Sequence, residues 1–311
     1  MAEDFPQTVM DLERRFCDEA ACRAYLFALR WPGGFACPGC GGRTALGIRR
    51  ELWRCGQCRR ETSVIVGTIF QDSKLPLTVW FREMWQVTSQ KNGMSALGLQ
   101  RVLGLGSYKT AWAMLHKLRR AMVRPGRERL SGRVEVDEAY WGAEETGLIG
   151  RKIEEKALIV VAVELRDAGM GRVRLRHVPD TDRATLHTFI HDSVEPGSTV
   201  CTDGLQAYRE LTGYGHERHI QKHQPPGEHV LPHVHRVISL LKRWLLGTHQ
   251  GAIAHSHLND YLNEFAFRFN RRLSASRGKL FYRLAQQAVQ VAPYTFSDIV
   301  TPQPLGGGGV K

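Results

Sequence analysis

Two cysteine pairs constrain the fold of the N-terminal part of the chain more than any other feature. Cys37 and Cys40 form one Cys-x-x-Cys motif, Cys55 and Cys58 form a second, and 14 residues separate the two. Two such motifs at this distance can close a tetrahedral four-cysteine zinc site. Because four thiolates leave no open position for water, the zinc would be structural, and we expect a zinc ribbon over residues 31–66.

Arginine is dense around the second cysteine pair. Trp53 and five arginines lie between residues 49 and 60, the arginines being Arg49, Arg50, Arg54, Arg59 and Arg60. Guanidinium groups bind phosphate through paired hydrogen bonds, which favours DNA over a protein as the partner of the ribbon. The formal net charge of +12 indicates the same kind of polyanionic partner for the whole chain.

The sequence predicts no membrane segment and no leader. The longest apolar run, residues 157–165, is shorter than the roughly 18 residues that span a bilayer, and its length is typical of a buried strand. Residues 1–16 are acidic at their start and lack the apolar segment of a signal peptide. We therefore expect a cytoplasmic protein without membrane partners, whose cysteines bind metal or stay reduced.

The N-terminal half is predicted to be helical on both sides of the ribbon. The N-terminal segment, residues 1–30, is expected to contain one helix, at residues 8–30. Residues 92–122 predict two helices joined at a glycine turn, with Ser95 and Ser107 as their caps. A short helix, a turn and a longer basic helix form the helix-turn-helix layout, so residues 74–124 are interpreted as a DNA-binding segment of this kind.

After a linker at residues 124–132 the pattern changes to that of an α/β domain, predicted over 131–290. Strands are expected at 133–142, 156–165, 172–178 and 197–204, and helices at 181–194, 232–246, 256–272 and 277–290. This order predicts one sheet with flanking helices. The tail, residues 291–311, ends in a glycine-rich segment and is predicted to be disordered.

Two aspartates stand where carboxylates can meet in this sheet. Asp137 lies in the first strand and Asp203 ends the fourth, and these strands can be neighbours if the first three form a meander. Two carboxylates at close range repel unless divalent cations neutralise them, and oxygen ligands suit Mg²⁺ or Mn²⁺. Glu135 shares the face of Asp137 and is expected beside the metals. A turn or capping role for the aspartates is the alternative.

Several segments, in the same order, resemble the ISXO2-like group of insertion-sequence transposases, which carry an N-terminal zinc ribbon. The resemblance rests on RWPGGFACPGCG, CGQC, TIFQDSKLPLTVWF, SALGLQRVLGLGSYKTAW, VEVDEAYWG, TDGLQAY, LLKRWLLGTHQG and YLNEFAFRFNRR. It covers nearly all of the chain except the C-terminal tail. It implies an RNase H-like catalytic domain with a DDE-type active site, in which Asp137 and Asp203 are the first two catalytic residues.

The third position of the site departs from the commonest pattern of the family, which has glutamate or asparagine there. Here the resemblance places His235 at that position, as a metal ligand or a neighbour of the metal site, and Lys242 two helical turns later, as a phosphate-binding group. Neutral imidazole binds Mn²⁺ readily and Mg²⁺ poorly. His233 is about half a turn out of phase and is expected to face away. Glu228 and Glu264 are the rival third carboxylates.

The resemblance implies a DNA transposase that binds the terminal inverted repeats of its insertion sequence and carries out metal-dependent strand cleavage and strand transfer. We expect at least a dimer on double-stranded DNA, since two ends must meet, and association with a bacterial nucleoid. One alternative is a catalytically inactive zinc-ribbon DNA-binding regulator derived from a transposase. Another is a nuclease of the same fold, which would cleave DNA without joining it.

Overall fold

The computed structural model describes residues 3–124, 126–142, 156–167, 169–220 and 230–301, except the side chain of Arg50. These residues form two compact units. The first combines residues 3–124 with residues 273–300, and the second contains residues from 126 to 272. In the part of the chain so described, no helix is long and apolar enough to cross a membrane.

Two N-terminal helices replace the single helix predicted over residues 8–30. The first, α1, spans Val9–Arg15, and α2 spans Glu19–Arg30. Asp18 separates them, because its side chain accepts a hydrogen bond from the backbone N–H of Ala21 at 2.8 Å and so caps α2. The apolar spacing runs through this break, so periodicity alone does not reveal it.

A three-stranded antiparallel sheet follows α2 and contains the second cysteine pair. Its strands, in spatial order, are β1 (Ala45–Ile48), β2 (Leu52–Cys55) and β3 (Glu61–Thr62). Cys55 ends β2 opposite Ala45, the first residue of β1, and the first cysteine pair comes just before that residue. The chain therefore returns both pairs to the same end of the sheet.

Three helices follow the ribbon: α3 (Leu77–Ser89), α4 (Ala96–Leu103) and α5 (Tyr108–Ala121). Ser95 caps α4 as predicted, accepting a hydrogen bond from the N–H of Gly98 at 3.1 Å. Ser107 occupies the N-cap position of α5 but makes no capping hydrogen bond with its side chain. Gly104 ends α4 with φ of 63°, a left-handed conformation that favours glycine and allows the short turn between the helices.

The second unit contains one five-stranded sheet. Its strands along the chain are β4 (Arg133–Trp141), β5 (Ala157–Arg166), β6 (Gly169–Val178), β7 (Thr199–Thr202) and β8 (Gly215–Arg218). The spatial order is β6-β5-β4-β7-β8, with an antiparallel meander from β4 to β6 and with β7 and β8 parallel to β4. The predicted meander and the pairing of its first strand with the fourth are present. The edge strand β8 was not predicted, because four residues without apolar alternation carry no strand signal.

Helices cover both faces of this sheet. They are α6 (Arg183–Ser193), α7 (Pro232–His249) and α8 (Leu258–Phe269). Val160 and Ala162 of β5 belong to the apolar core that contains α6, while Val161 and Val163 belong to the core that contains α7 and α8. A strand buried on both faces needs a continuous apolar run, which explains residues 157–165. The result is the RNase H-like α/β fold that was expected.

The C-terminal helices depart from the predicted boundaries. They are α9 (Arg277–Ala288) and α10 (Phe296–Val300), and both belong to the first unit. Phe281 of α9 packs on Phe81 of α3, with ring centroids 5.7 Å apart, so α9 lies outside the domain predicted for residues 131–290. The side chain of Thr295 accepts a hydrogen bond from the N–H of Asp298 at the start of α10, where disorder was predicted; residues 302–311 lie outside the described residues.

Glu164 of β5 links β6 to the segment just before β4, near one end of the sheet. Its carboxylate is 4% exposed and accepts hydrogen bonds from the N–H of Ser131 at 3.2 Å and from the guanidinium groups of Arg172 at 2.6 Å and Arg166 at 3.0 Å. Burial raises the pKa of Glu164, but the hydrogen bonds and charge of Arg172 and the N–H of Ser131 outweigh burial and lower it to about 2. The ionised carboxylate is therefore the form that the fold stabilises.

Glu164→Gln should lower the free energy of unfolding by about 2–3 kcal/mol at neutral pH, since it leaves buried donors poorly matched. The depressed pKa means that this contribution is present above the unfolded value of 4.5 and is lost as the pH falls toward 2. Urea unfolding at pH 7 and at pH 3 measures both effects. Glu61→Gln, in an exposed pair with Arg54, is the control and should cost under about 1 kcal/mol.

Candidate active site and zinc site

The four cysteine sulfurs of the ribbon lie together as a tetrahedral zinc site requires. The Sγ atoms of Cys37 and Cys58 are 3.6 Å apart, as are those of Cys40 and Cys55, and all four lie within 4.8 Å of one another. Tetrahedral zinc with bonds of about 2.3 Å to sulfur would give edges of about 3.8 Å. The predicted ligand set therefore fits a structural zinc ion.

Backbone amides support these sulfurs as ligands. The N–H of Gly39 points to Cys37 Sγ and the N–H of Gln57 to Cys55 Sγ, each at 3.4 Å. The Gly39 amide contributes most to lowering the pKa of Cys37 to about 6, together with the Cys40 amide and the thiols of Cys58 and Cys40, and this favours the thiolate that binds metal. Each amide belongs to a residue between the two cysteines of a motif, so both motifs have the same local geometry.

The pairing of β4 with β7 brings the two predicted aspartates to neighbouring positions. Glu135 pairs with Cys201, and Asp137 and Asp203 each follow two residues later in a parallel pair of strands. Side chains two residues apart share a face of a strand, so both carboxylates lie toward the same side. Asp203 lies directly after β7, where its Oδ1 accepts a hydrogen bond from the N–H of Leu205 at 2.9 Å.

The carboxyl of Asp137 is half-buried, and burial raises its pKa. The N–H of Glu138 and the side chain of His235 lower this pKa, while the charge of Asp203 raises it, and the net shift is upward. Two carboxylates of this kind are stabilised by a nearby cation. The oxygen donors of Asp137 and Asp203 therefore fit Mg²⁺ or Mn²⁺.

His235 on α7 contacts the first aspartate directly. Its Nε2 lies 2.9 Å from Oδ2 of Asp137, while 45% of its side chain remains exposed. Asp137, Asp203 and His235 are all described residues, but their ligand atoms, one from each residue, do not all lie within 4.8 Å of one another. The geometry thus establishes a histidine–aspartate contact, and ligation of a shared metal by all three remains a prediction.

Lys242 is exposed on the same helix as His235, seven residues further on. Val234, Val237 and Leu241 bury the opposite stripe of α7 against the sheet. Seven residues are close to two helical turns, so His235 and Lys242 share the outer stripe. The predicted phosphate-binding group therefore lies on the same side of α7 as His235 and is exposed.

His233 does not face away, contrary to the phase argument. Its Nδ1 lies 2.8 Å from Oε1 of Glu135, and the N–H of Val234 donates to Oε2 of the same carboxylate at 2.7 Å. The first turn of a helix has N–H groups without helical acceptors, and Glu135 supplies one from the sheet. Because Glu135 approaches α7 at its N-terminal end, residues on different sides of the helix can reach the sheet there.

Glu135→Ala should loosen the start of α7. It leaves the amide of Val234 and the imidazole of His233 without their buried acceptor, so the free energy of unfolding should fall by about 2–3 kcal/mol. His233→Ala removes only one of the two hydrogen bonds and should cost about 1 kcal/mol. Chemical denaturation measures both, and equal costs would contradict the role of the Val234 amide.

The structure also shows where the other candidate residues of the predicted site lie. Trp141 lies in the apolar core beneath α7, so it packs. Glu264 is fully buried in α8, and Glu228 lies outside the described residues. Tyr208 was not among the predicted residues, but its buried hydroxyl donates a hydrogen bond to Oε1 of Glu138, next to the first aspartate. The signal for it was the tyrosine in the segment TDGLQAY.

Two family models match the chain. One, described as the ISXO2-like transposase domain, matches residues 129–270, and the other, described as the transposase zinc-ribbon domain, matches residues 17–61. The second match begins at Cys17, between α1 and α2, and so starts before residue 31, where the ribbon was predicted to begin. The chain is also 28% identical, over 296 residues, to the "Uncharacterized protein in transposable element ISH50" of Halobacterium salinarum, covering 86% of this chain and 95% of that protein.

Solved structures of retroviral integrases show a weaker likeness. The catalytic core domain of BIV integrase is 16% identical, with a TM-score of 0.31, and the match covers 48% of this chain and 89% of that one. A chain of the simian T-cell lymphotropic virus intasome, solved with the PP2A regulatory subunit B56 gamma, is 14% identical, with the same TM-score and coverages of 55% and 65%. Scores this low add nothing to what the family models and the strand order establish.

Proposed function

We propose that the chain is an ISXO2-like transposase with an N-terminal zinc ribbon, and that it binds the terminal inverted repeats of its element and cuts and joins DNA strands there. The observation that supports this most is the contact of His235 on α7 with Asp137 on β4, next to the strand that ends just before Asp203. These residues lie far apart in the sequence, but β4 and β7 are neighbouring strands in the interior of the sheet and α7 packs against it. We therefore assign Asp137, Asp203 and His235 as the first, second and third residues of a DDE-type site.

The proposed site divides the work between the sheet and α7. A bound divalent cation, Mg²⁺ or Mn²⁺, supplies Lewis acidity toward the phosphate that is attacked. Asp137 and Asp203 would hold that cation through carboxylate oxygens, and Glu135 holds the start of α7 so that His235 stays at Asp137. Lys242 binds a neighbouring phosphate and orients the strand. The imidazole favours Mn²⁺ over Mg²⁺.

The first unit is proposed to recognise the DNA. Arginines of the ribbon, including Arg54 and Arg59, and the basic residues of α5, including Lys109, would contact the backbone of the inverted repeat. Two ends must be held together for transfer, so we infer at least a dimer on DNA. The relative in Halobacterium salinarum is archaeal, and a bacterial source for this chain is a separate prediction that it does not support.

A direct assay tests the proposal. Purified protein is incubated with a labelled duplex from the DNA that flanks its own gene, with Mg²⁺ or Mn²⁺, and nicked and joined products are separated. Joined product is expected, with more of it in Mn²⁺. Cleavage without joining would indicate a nuclease of the same fold. Tight binding without any cleavage in either metal would overturn the proposal in favour of the inactive regulator.

His235→Ala should lower the rate of cleavage by about 10- to 100-fold, as is usual when a partner of a metal ligand is removed. The imidazole contacts Asp137, and without it the carboxylate loses the group that orients it. Ser239→Ala, one helical turn further on and also exposed, is the matched control and should leave the rate unchanged. Rates measured at saturating Mn²⁺ decide the matter: an unchanged rate for His235→Ala would remove His235 from the site.

A further inference from the structure

We propose that Cys201, Glu217 and His219 form a second zinc-binding site, separate from the ribbon and from the aspartate pair. The inference does not depend on the reaction that the protein catalyses. Three features support the site: the pairing of β7 with β8, the contacts of the Glu217 carboxylate, and a cavity beside these residues.

The three side chains converge because of the register of β7 and β8. Cys201 of β7 lies directly opposite Glu217 of β8, and His219 follows Glu217 by two residues, on the same face. One ligand atom from each residue can be chosen so that all three lie within 4.8 Å of one another. A parallel pair at the edge of the sheet thus places sulfur, oxygen and nitrogen donors together.

The two carboxylate oxygens of Glu217 have different partners: one contacts Arg133, and the other faces Cys201 and His219. Its Oε1 accepts a hydrogen bond from the guanidinium of Arg133 at 2.7 Å. Its Oε2 is 3.9 Å from Cys201 Sγ and 3.7 Å from His219 Nε2. Arg133 therefore orients the carboxylate, and Oε2 faces the two other donors.

A cavity of about 130 Å³ adjoins the cluster and is lined by Cys201, His219, Arg133 and Glu135 and by apolar residues that include Leu165 and Leu231. Liquid water occupies about 30 Å³ per molecule, so the cavity has room for an ion and a water molecule. Three protein ligands with an open fourth position are a common arrangement for zinc.

The chemistry of the donors distinguishes this site from the aspartate pair. Thiolate and imidazole are preferred by Zn²⁺ and are poor ligands for Mg²⁺. An ion bound here would join β7 to the edge strand β8, which is held by only four paired residues. It would thereby stiffen the strand that ends just before Asp203.

Zinc content tests the proposal. Full-length protein is dialysed against Zn²⁺, desalted and analysed by mass spectrometry of the metal. Two zinc ions per chain are expected in the wild type, one in the ribbon and one in the new site. Cys201→Ser and His219→Ala should each retain one. Co²⁺ added to protein that retains only the ribbon zinc should give a thiolate-to-cobalt charge-transfer band, which both variants lose.

Two controls make the result specific. Cys22→Ser removes an equally buried thiol in the other unit and should retain two zinc ions. The double variant Asp137→Asn with Asp203→Asn should also retain two, which shows that the second ion is not held by the aspartates. Circular dichroism confirms that each variant is folded. One zinc ion in the wild type, or two in both Cys201→Ser and His219→Ala, would overturn the proposal.

Discussion

Asp137→Asn is expected to lower the rate of DNA strand cleavage by about 10³-fold or more while leaving the protein folded. Asparagine keeps the shape and the hydrogen-bonding capacity toward His235 but removes the negative charge that holds the cation. Asp203→Asn should have a similar effect, because the two carboxylates follow paired residues of neighbouring strands. Cleavage of the labelled end duplex, measured in Mg²⁺ and in Mn²⁺, gives the rates.

The stability of the metal-free variant provides a second test of the same residue. Burial and the charge of Asp203 raise the pKa of Asp137, so the metal-free fold disfavours the ionised form. A raised pKa in an acid means that stability falls as the pH rises from the unfolded value of 3.8 through the folded value. Asp137→Asn should therefore be at least as stable as the wild type at pH 7, and this advantage should vanish below about pH 3.8.

Asp167→Asn serves as the matched control for both measurements. This aspartate is exposed, in the turn between β5 and β6, and its substitution should change neither the rate nor the stability. If Asp137→Asn keeps cleavage within about tenfold of the wild type, Asp137 is not a metal ligand of the reaction. If it unfolds the protein at pH 7, the carboxylate has a structural role, contrary to the sign of its pKa shift.

The parts of the fold that the sequence predicts well are those in which one physical requirement dominates. The continuous apolar run of β5 requires burial on both faces, and the structure provides it. The spacing of the cysteine pairs allows one zinc geometry, and the four sulfurs meet. Asp137 and Asp203 follow from strand order, because a meander with a parallel fourth strand brings their strands together.

The parts of the fold that the sequence does not predict depend on contacts between segments that are distant along the chain. The hydrogen bond between His233 and Glu135 arises because the sheet meets α7 at its end, which the phase along the helix does not encode. The strand β8 forms only because β7 offers a free edge. The position of α9 in the first unit depends on α3, almost 200 residues earlier, although the helix itself was predicted correctly.

Removal of the ribbon zinc is expected to have the other large effect. The three strands of the ribbon contain four, four and two residues, which is too little structure to be stable alone. Binding of structural zinc contributes about 10 kcal/mol or more in small domains of this kind. Cys37→Ser should therefore unfold the ribbon and lower the affinity for the inverted repeat by about 100-fold or more.

Fluorescence anisotropy with the end duplex measures this affinity, and zinc content is measured on the same sample. Cys17→Ser, which changes an exposed cysteine outside the ligand set, should retain full binding and full zinc content. Cys37→Ser should lose one zinc ion and retain the fold of the second unit, because the five-stranded sheet has its own core. If the ribbon loses its zinc and the affinity is unchanged, the ribbon does not bind the repeat. Recognition would then be assigned to α4 and α5, and the arginines around Trp53 would need another partner.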